Sequence, residues 1–473
     1  MTERDFQRES RRKLSCGYSV LITAPTGLGK TRAAIAPFTF MGNNPLLTTR
    51  LIYTLPLRAL TYGVMEELSS FGIDSTLHHG DEPESRFFSE QAIVTTIDQY
   101  LTAFAGAPLS WSSHLSHAAA GAVLSSYSVF DEVHLLSPRR ALQLLFGLLK
   151  LRHRWGLLSC VMTATLPPSA ARFFEEFCGL KRIEASPSDV QQRDSWRKVR
   201  LQLLGKRIQE GTKKKKSKKF IWEEVTPESI CKVVKEKWES WEELEINSSS
   251  NERKIIVFVN TVDRAIQVYR EIKEAGFCSQ VFLAHSRFAK HHRREVERDI
   301  QTHFGRDASP REAILVSTQV AEAGLNISAP LVITELCPMD SLIQRAGRCQ
   351  RFNMERAAEK RGLVMVVKPK AEDKKKWYLP YVDMIGVEKS KGKKIKNIPI
   401  AEITRVVLEE QVENNDNNLY LNWSKEKELI KLSLDTAYRA FLSGSDRIPF
   451  KEIQESPLNR AFQEAEGEED GGE

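Results

Sequence analysis

The sequence predicts an α/β protein made of two tandem domains, each a parallel sheet flanked by helices, followed by a small C-terminal accessory region. Three observations carry this expectation. Short apolar runs alternate with helical stretches in two series, one before residue 180 and one after residue 253. A polar, lysine-rich segment separates the series. A loop of glycines ending in Lys-Thr follows the first run, where a parallel sheet makes its strand-to-helix turn. The resulting division is a first domain at 1–185, a linker at 186–252 with a lysine-rich loop and an entry helix, a second domain at 253–370 and an accessory region at 371–473.

The first series comprises Val20-Leu-Ile-Thr-Ala24, Leu51-Ile-Tyr-Thr54, Ala92-Ile-Val-Thr95, Tyr127-Ser-Val-Phe130 and Ser159-Cys-Val-Met162. Runs this short and this rich in β-branched residues read as strands buried on both faces. In the linker, Thr212 to Lys219 holds six lysines, whose mutual repulsion predicts a solvated loop. Ile230, Val234, Trp238 and Trp241 then share one face of a predicted helix. The second series comprises Lys254–Asn260, Val281–His285, Ala313–Thr318, Leu331–Glu335 and Leu363–Val367. Beyond it, one helix is predicted with Leu429, Leu432, Ala437 and Phe441 inward, and the acidic stretch Glu464–Glu473 is predicted to be disordered.

At 473 residues, 41% hydrophobic and 28% charged, the chain is long and apolar enough for two to three cored domains, which excludes collagen-like, coiled-coil and wholly disordered classes. Lys+Arg exceed Asp+Glu by 69 to 62, a mild basic excess that permits a polyanionic partner without demanding one. Seven scattered cysteines without a Cys-x-x-Cys pair argue for reduced thiols, hence a cytoplasmic location, and against structural zinc. No stretch is long and apolar enough to span a bilayer, and the N-terminus does not read as a signal peptide, so no membrane partner is expected.

Four segments carry chemistry. In Thr23-Ala-Pro-Thr-Gly-Leu-Gly-Lys-Thr31, residues Ala24, Pro25, Thr26, Gly27, Leu28 and Gly29 form a loop whose N–H groups converge on an anion at a helix N-terminus. Lys30 can reach β- and γ-phosphates, and the Thr31 hydroxyl can bind magnesium. Ala24 stands where the strict pattern has glycine. Phe130-Asp-Glu-Val-His134 ends a strand, with Asp131 placed to hold magnesium through water and Glu132 to polarise an attacking water. An acidic pair there also reads as a plain helix cap, and the phosphate loop upstream tips the balance. Met162-Thr-Ala-Thr165 supplies two hydroxyls that can connect the nucleotide site to the other domain. Finally, Asp340 to Arg351 places Arg345, Arg348 and Arg351 at three-residue spacing, expected on one helical face. A solvated basic face is the plain alternative, whereas an arginine given to a γ-phosphate is worth ~10³–10⁵ in rate.

These segments, in this order on two α/β halves, resemble a superfamily 2 helicase with two RecA-like domains. Ala284-His-Ser-Arg-Phe288, Ser317-Thr-Gln-Val-Ala-Glu-Ala-Gly-Leu-Asn-Ile327 and Asp340-Ser-Leu-Ile-Gln-Arg-Ala-Gly-Arg348 most resemble the CRISPR-associated helicase of type I systems, the Cas-three helicase-nuclease family. The resemblance covers residues 1 to about 370. It implies an ATP- and magnesium-dependent helicase whose catalytic set is Lys30, Asp131, Glu132, Gln344, Arg348 and Arg351. It implies adenine contacts from Phe6 and Gln7 and nucleotide contacts from Gly324 and Asn326, the last standing where many relatives have an acidic residue on the ribose. Nucleic-acid backbone contacts are implied for Pro56, Arg58, Thr95, Thr96, Gln99, Asn260, Thr261, Ser317 and Thr318. Five residues precede Phe6 and no His-Asp dipeptide occurs, so the expectation is a stand-alone helicase subunit, with the metal-dependent His-Asp (HD) nuclease on another chain. Single-stranded DNA and a CRISPR surveillance (Cascade-type) complex are the implied partners, with 3′ to 5′ movement. A general DNA or RNA helicase of repair or RNA processing, and an ATP-gated nucleic-acid clamp, are the alternatives.

Overall fold

In the computed structural model, all residues are described except 1–2, 41–49, 86, 108–115, 211–216, 247–251, 309–311, 353–358, 371–376, 389–394, 414, 416, 445–446 and 471–473. The chain divides into two compact units, Met1–Gln192 and Arg193–Glu473.

Among the described residues, the first unit holds eight strands: β1 (Val20–Thr23), β2 (Leu51–Leu55), β3 (Thr76–His79), β4 (Glu82–Pro83), β5 (Ala92–Thr96), β6 (Tyr127–Phe130), β7 (Ser159–Thr163) and β8 (Lys181–Glu184). They form one sheet in the order β4-β3-β5-β2-β6-β7-β1-β8, parallel except for the β3–β4 hairpin. Strands β1, β2, β5, β6 and β7 are buried along their whole length, as their unbroken apolar runs require. The five strands expected in this half are therefore the centre of the sheet, and β3, β4 and β8 extend it at the edges. Parallel pairing brings the C-terminal ends of β1, β2, β5, β6 and β7 to one edge, where ligands bind in open α/β sheets.

In the second unit, β9 (Arg197–Leu203) is followed by the hairpin β10 (Gly205–Glu210) and β11 (Ser217–Trp222), then β12 (Glu224–Val225), β13 (Arg253–Phe258), β14 (Val281–Ala284), β15 (Glu312–Ser317), β16 (Leu331–Glu335), β17 (Lys360–Pro369), β18 (Met384–Glu388), β19 (Ile395–Pro399), β20 (Leu419–Leu421) and β21 (Arg447–Pro449). The main sheet runs β14-β15-β13-β16-β17-β9-β20, with β20 antiparallel to β9 and β12 beside the end of β17. A separate three-stranded sheet runs β19-β18-β21. Ile230, Val234, Trp238 and Trp241 are buried in the core of this unit, as their spacing predicts. The helix itself spans Pro227–Glu239, and Trp241 begins the 3-10 turn after it.

Three sequence expectations need correction. Within the segment read as a linker, Arg197–Leu203 is a strand paired with β17 and β20. Its charges concealed it: Arg197, Val199, Leu201 and Leu203 are buried while Lys198, Arg200 and Gln202 lie half-exposed, so the alternation is that of a strand near a sheet edge. Lys218 and Lys219 pair with Gln209 and Ile208 in the β10–β11 hairpin, whereas Thr212 to Lys216 lie outside the described residues. The acidic tail continues a helix, Pro457–Asp470, which is anchored by buried Leu458, Ala461 and Phe462 and by an Arg460–Glu464 ion pair at 2.9 Å.

Candidate functional site

In the first unit, the phosphate loop joins β1 to the helix Lys30–Phe40. Gly27 and Gly29 have φ of 79° and 87°, the left-handed region that glycine enters without steric cost. A Cβ on Gly29 would also stand 2.8 Å from the Gln7 amide nitrogen. Ala24 keeps ordinary geometry, with its N–H on the Thr163 carbonyl at 3.3 Å, so this position tolerates a methyl group. Its carbonyl receives the Lys30 ammonium at 3.2 Å. Pro25 and Leu28 are buried, while Thr26 and Gly29 are half-buried and Gly27 is open to solvent.

Gln7 does reach the loop: its side-chain amide donates to the Gly29 carbonyl at 3.0 Å and accepts the Arg4 N–H at 3.0 Å. Arg4, which sequence reasoning missed, adds a bond to the Leu28 carbonyl at 2.9 Å. Phe6 differs from its expected role. It is 1% exposed and gives its N–H to Asp189, so its ring is buried rather than an open face for a base.

Asp131 follows β6, one strand over from β7 and two from β1. Its Oδ2 accepts from the Tyr53 hydroxyl at 2.6 Å and its Oδ1 from the Glu132 N–H at 2.8 Å. Burial, with the Glu132 charge adding to it, lifts the Asp131 carboxyl above the usual carboxylate range, and Lys30 opposes that shift. Glu132 sits at φ 49° and ψ 40°, a left-handed conformation rare for a residue with a Cβ and costing about 1 kcal/mol or more. His134 is buried, which pushes its ring down to about 4 and keeps it neutral. Its Nδ1 lies 3.0 Å from the Thr163 hydroxyl, which donates onward to the Thr165 carbonyl. The Asp-Glu-Val-His and Thr-Ala-Thr segments are thus bonded to each other within one unit. A hydroxyl at Thr31 and a buried carboxylate at Asp131 make a pair of oxygen donors beside a phosphate cradle that the Lys30 ammonium completes, which fits magnesium with a nucleotide.

In the second unit, the arginines do not share one helical face. The helix Met339–Ala346 ends before Arg348 and Arg351. Arg345 is wholly buried and bonded to Glu322, Thr334, Asn260 and Tyr381, so it organises the interior. Arg348 is buried and donates to the carbonyls of Ala321 and Glu322. Arg351 is half-buried, with its Nε on the Asn326 side chain at 2.9 Å. Gln344 is 2% exposed, and its amide nitrogen has no partner among the described residues. Gly324 caps the short helix Val320–Ala323.

The residues expected on nucleic acid stand at or just past strand C-terminal ends, yet several point inward. Thr95 donates to the His78 carbonyl at 2.6 Å, Ser317 donates to the Ala284 carbonyl at 3.2 Å, and both are wholly buried. The Asn260 side chain bonds the Leu336 carbonyl at 2.9 Å and Arg345 at 3.1 Å. These three side chains are committed to the fold, which leaves their backbone groups and neighbours for any phosphate contact. Thr96, Gln99 and Thr318 are also buried, and Thr261 caps the helix Val262–Ala275. Pro56 is half-buried, and exposed Arg58 pairs with Asp81 at 3.0 Å.

Two family models match. Residues 4–173 match the DEAD/DEAH box helicase family, and residues 251–354 match the C-terminal part of the CRISPR-associated nuclease/helicase Cas3. A CRISPR-associated nuclease/helicase Cas3 of Methanothermobacter thermautotrophicus is 26% identical over 368 residues, covering 70% of this chain and 38% of that protein. The chain thus matches a DEAD/DEAH box helicase model followed by a Cas3-like C-terminal model. Its fold agrees: a crystal structure of T. fusca Cas3 with AMPPNP superposes with a TM-score of 0.64 at 20% identity, over 94% of this chain and 55% of that one. A chain from a CRISPR RNA-guided surveillance complex in its pre-nicking state gives 0.59 at 19% identity, over 94% of this chain and 53% of that one. The chain thus spans about half the length, or less, of these Cas3 relatives. Its two units are RecA-like α/β domains.

Proposed function

We propose that this chain is an ATP-driven translocase that moves 3′ to 5′ on single-stranded DNA and unwinds target DNA in type I CRISPR interference. The observation that carries the reading is the cluster of Lys30, Asp131 and Glu132 at one phosphate loop, with the Asp-Glu-Val-His and Thr-Ala-Thr segments joined through His134 and Thr163. ATP phosphates lie on the N–H groups of residues 27–31, and Lys30 exchanges the Ala24 carbonyl for phosphate oxygens. Thr31 and Asp131 would hold magnesium, which would supply positive charge against the phosphates. Glu132 orients the attacking water and takes its proton. Arg348 and Arg351 supply positive charge to the transferred phosphoryl group, and the Gln344 amide donates to it. Strand-end backbone groups and Arg58 hold phosphates without reading bases, as a sequence-independent motor requires.

The partners in this reading are single-stranded DNA, a Cascade-type surveillance complex and an HD nuclease, all in the cytoplasm. Likeness to a chain of a CRISPR surveillance complex supports the recruitment, and among the described residues no helix is long and apolar enough to cross a membrane. Steady-state ATP hydrolysis with magnesium, measured alone and with single-stranded DNA, single-stranded RNA or duplex DNA at matched salt, tests the reading. Strong stimulation by single-stranded DNA is expected. Equal or greater stimulation by RNA turns the reading to an RNA helicase, and no hydrolysis with any of them turns it to a clamp.

A further inference from the structure

Tyr53 belongs to none of the four chemistry-bearing segments, yet it touches Asp131, a side chain that the site offers to magnesium. It lies in β2, wholly buried, between β5 and β6 in the sheet. Its hydroxyl has one proton, and that proton goes to Asp131 Oδ2 at 2.6 Å.

We propose that Tyr53 is a positioning residue for magnesium, its hydroxyl setting the orientation of the Asp131 carboxylate. On Asp131, one oxygen is held by Tyr53 and the other by the Glu132 N–H, so the carboxylate cannot rotate while each oxygen keeps a lone pair to offer. Groups that hold metal ligands in this way alter metal affinity by roughly 10- to 100-fold. Phenylalanine at this position would fill the same space and leave Asp131 Oδ2 without its donor. The proposal rests on the ATP and magnesium reading above.

The test is equilibrium binding of a fluorescent ADP to the full chain, titrated with magnesium and repeated in EDTA, for wild type and Tyr53→Phe. The magnesium concentration for half-maximal tightening should rise about 10-fold or more in Tyr53→Phe, while binding in EDTA stays within roughly two-fold of wild type. Melting temperature supplies a second reading. ADP alone should raise it equally in both proteins, and the extra rise on adding magnesium should shrink in the variant. An unchanged magnesium midpoint overturns the proposal. So does equal weakening with and without magnesium, because a merely structural hydroxyl would affect both alike. In an Asp131→Asn background, Tyr53→Phe should have a much smaller effect on the midpoint, and full additivity also overturns the proposal. A wild-type chain that binds no nucleotide would instead sink the ATP reading itself, a result separable from a nucleotide-binding chain in which only Tyr53 proves idle.

Discussion

The Arg345 guanidinium donates to the Glu322 carboxylate at 2.7 Å, at a place where neither side chain reaches solvent. Glu322 follows β15 and Arg345 lies in the helix after β16, so the pair ties together two of the segments that carry the family resemblance. The remaining guanidinium hydrogens go to the Thr334 hydroxyl, the Glu335 carbonyl, the Asn260 side chain and the Tyr381 hydroxyl. Removing one member of a buried pair strands the other charge. Arg345→Met should therefore cost the second unit about 3–5 kcal/mol, and Arg345→Met with Glu322→Leu should recover part of that loss. Urea unfolding followed by tryptophan fluorescence checks it, and equal stability of wild type and Arg345→Met would show the pair to be ornamental.

Glu132 and Arg351 should respond in the opposite way, through rate rather than stability. Glu132→Gln should abolish ATP turnover with little change in ATP or DNA binding. Arg351→Ala should slow turnover by roughly 10³-fold while ATP affinity stays near that of wild type. Asn326→Ala removes the partner that holds Arg351 Nε and should give a smaller loss of rate. Single-turnover hydrolysis alongside nucleotide titration separates the two effects. Arg351→Ala that cannot bind ATP would assign Arg351 to binding instead.

Arg152 is buried and makes five hydrogen bonds, to the side chains of Ser159 and Tyr100 and to the carbonyls of Val123, Ser126 and Leu158. All these partners are uncharged, and the residue joins three connections at the end of the first sheet opposite the phosphate loop. Arg152→Met leaves three carbonyls without that donor and should destabilise the first unit by about 3 kcal/mol or more. Arg152→Lys should rescue little of this, because an ammonium cannot reproduce the planar fork. Thermal melts of both variants decide the matter.

His78 gives a pH dependence of known sign. Burial is the main cause that lowers its pKa, His79 adds to the lowering, and Gln99 opposes it. The ring packs against Phe88 at 4.7 Å between centroids. Its folded pKa lies below the unfolded value near 6.5, so the unfolded chain binds the proton more readily. The neutral ring's contribution is fully present above about pH 6.5 and is lost as the pH falls toward the folded pKa. His78→Gln should shrink the difference between urea midpoints at pH 7.5 and pH 5.5. An unchanged difference would show that other groups carry the acid sensitivity.

Much of the core was legible because its signals are local. The runs from Val20 and Tyr127 are apolar on both faces and read as buried strands without knowledge of their neighbours. The phosphate loop was legible for the same reason, since its glycines, lysine and threonine lie within nine residues of a strand end. Arg197–Leu203 escaped notice because its alternating charges match a polar linker as well as an edge-side strand, and only pairing with β17 distinguishes them. The tail helix escaped because its acidic end is like any solvated run, whereas its anchors, Leu458 and Phe462, lie upstream of the charge.

The order of strands, the phosphate loop and the acidic strand end follow from spacing, which acts over a few residues and survives any packing. Which arginine becomes structural and which stays available follows from long-range neighbours. Arg345 meets Asn260 across 85 positions and Thr334 across 11, and these bonds, formed away from water, commit it to the interior. Arg351, six residues later, bonds the Asn326 side chain through its Nε and remains partly in solvent. Tyr53 shows the same division. Its place in a strand is written in Leu51-Ile-Tyr-Thr54, but its hydroxyl acquires a role only because parallel pairing sets β2 beside β6, bringing Asp131 within 2.6 Å. Local patterns carry backbone preference and solvent avoidance, while the chemistry of a buried polar group depends on which partners the fold brings within hydrogen-bond reach.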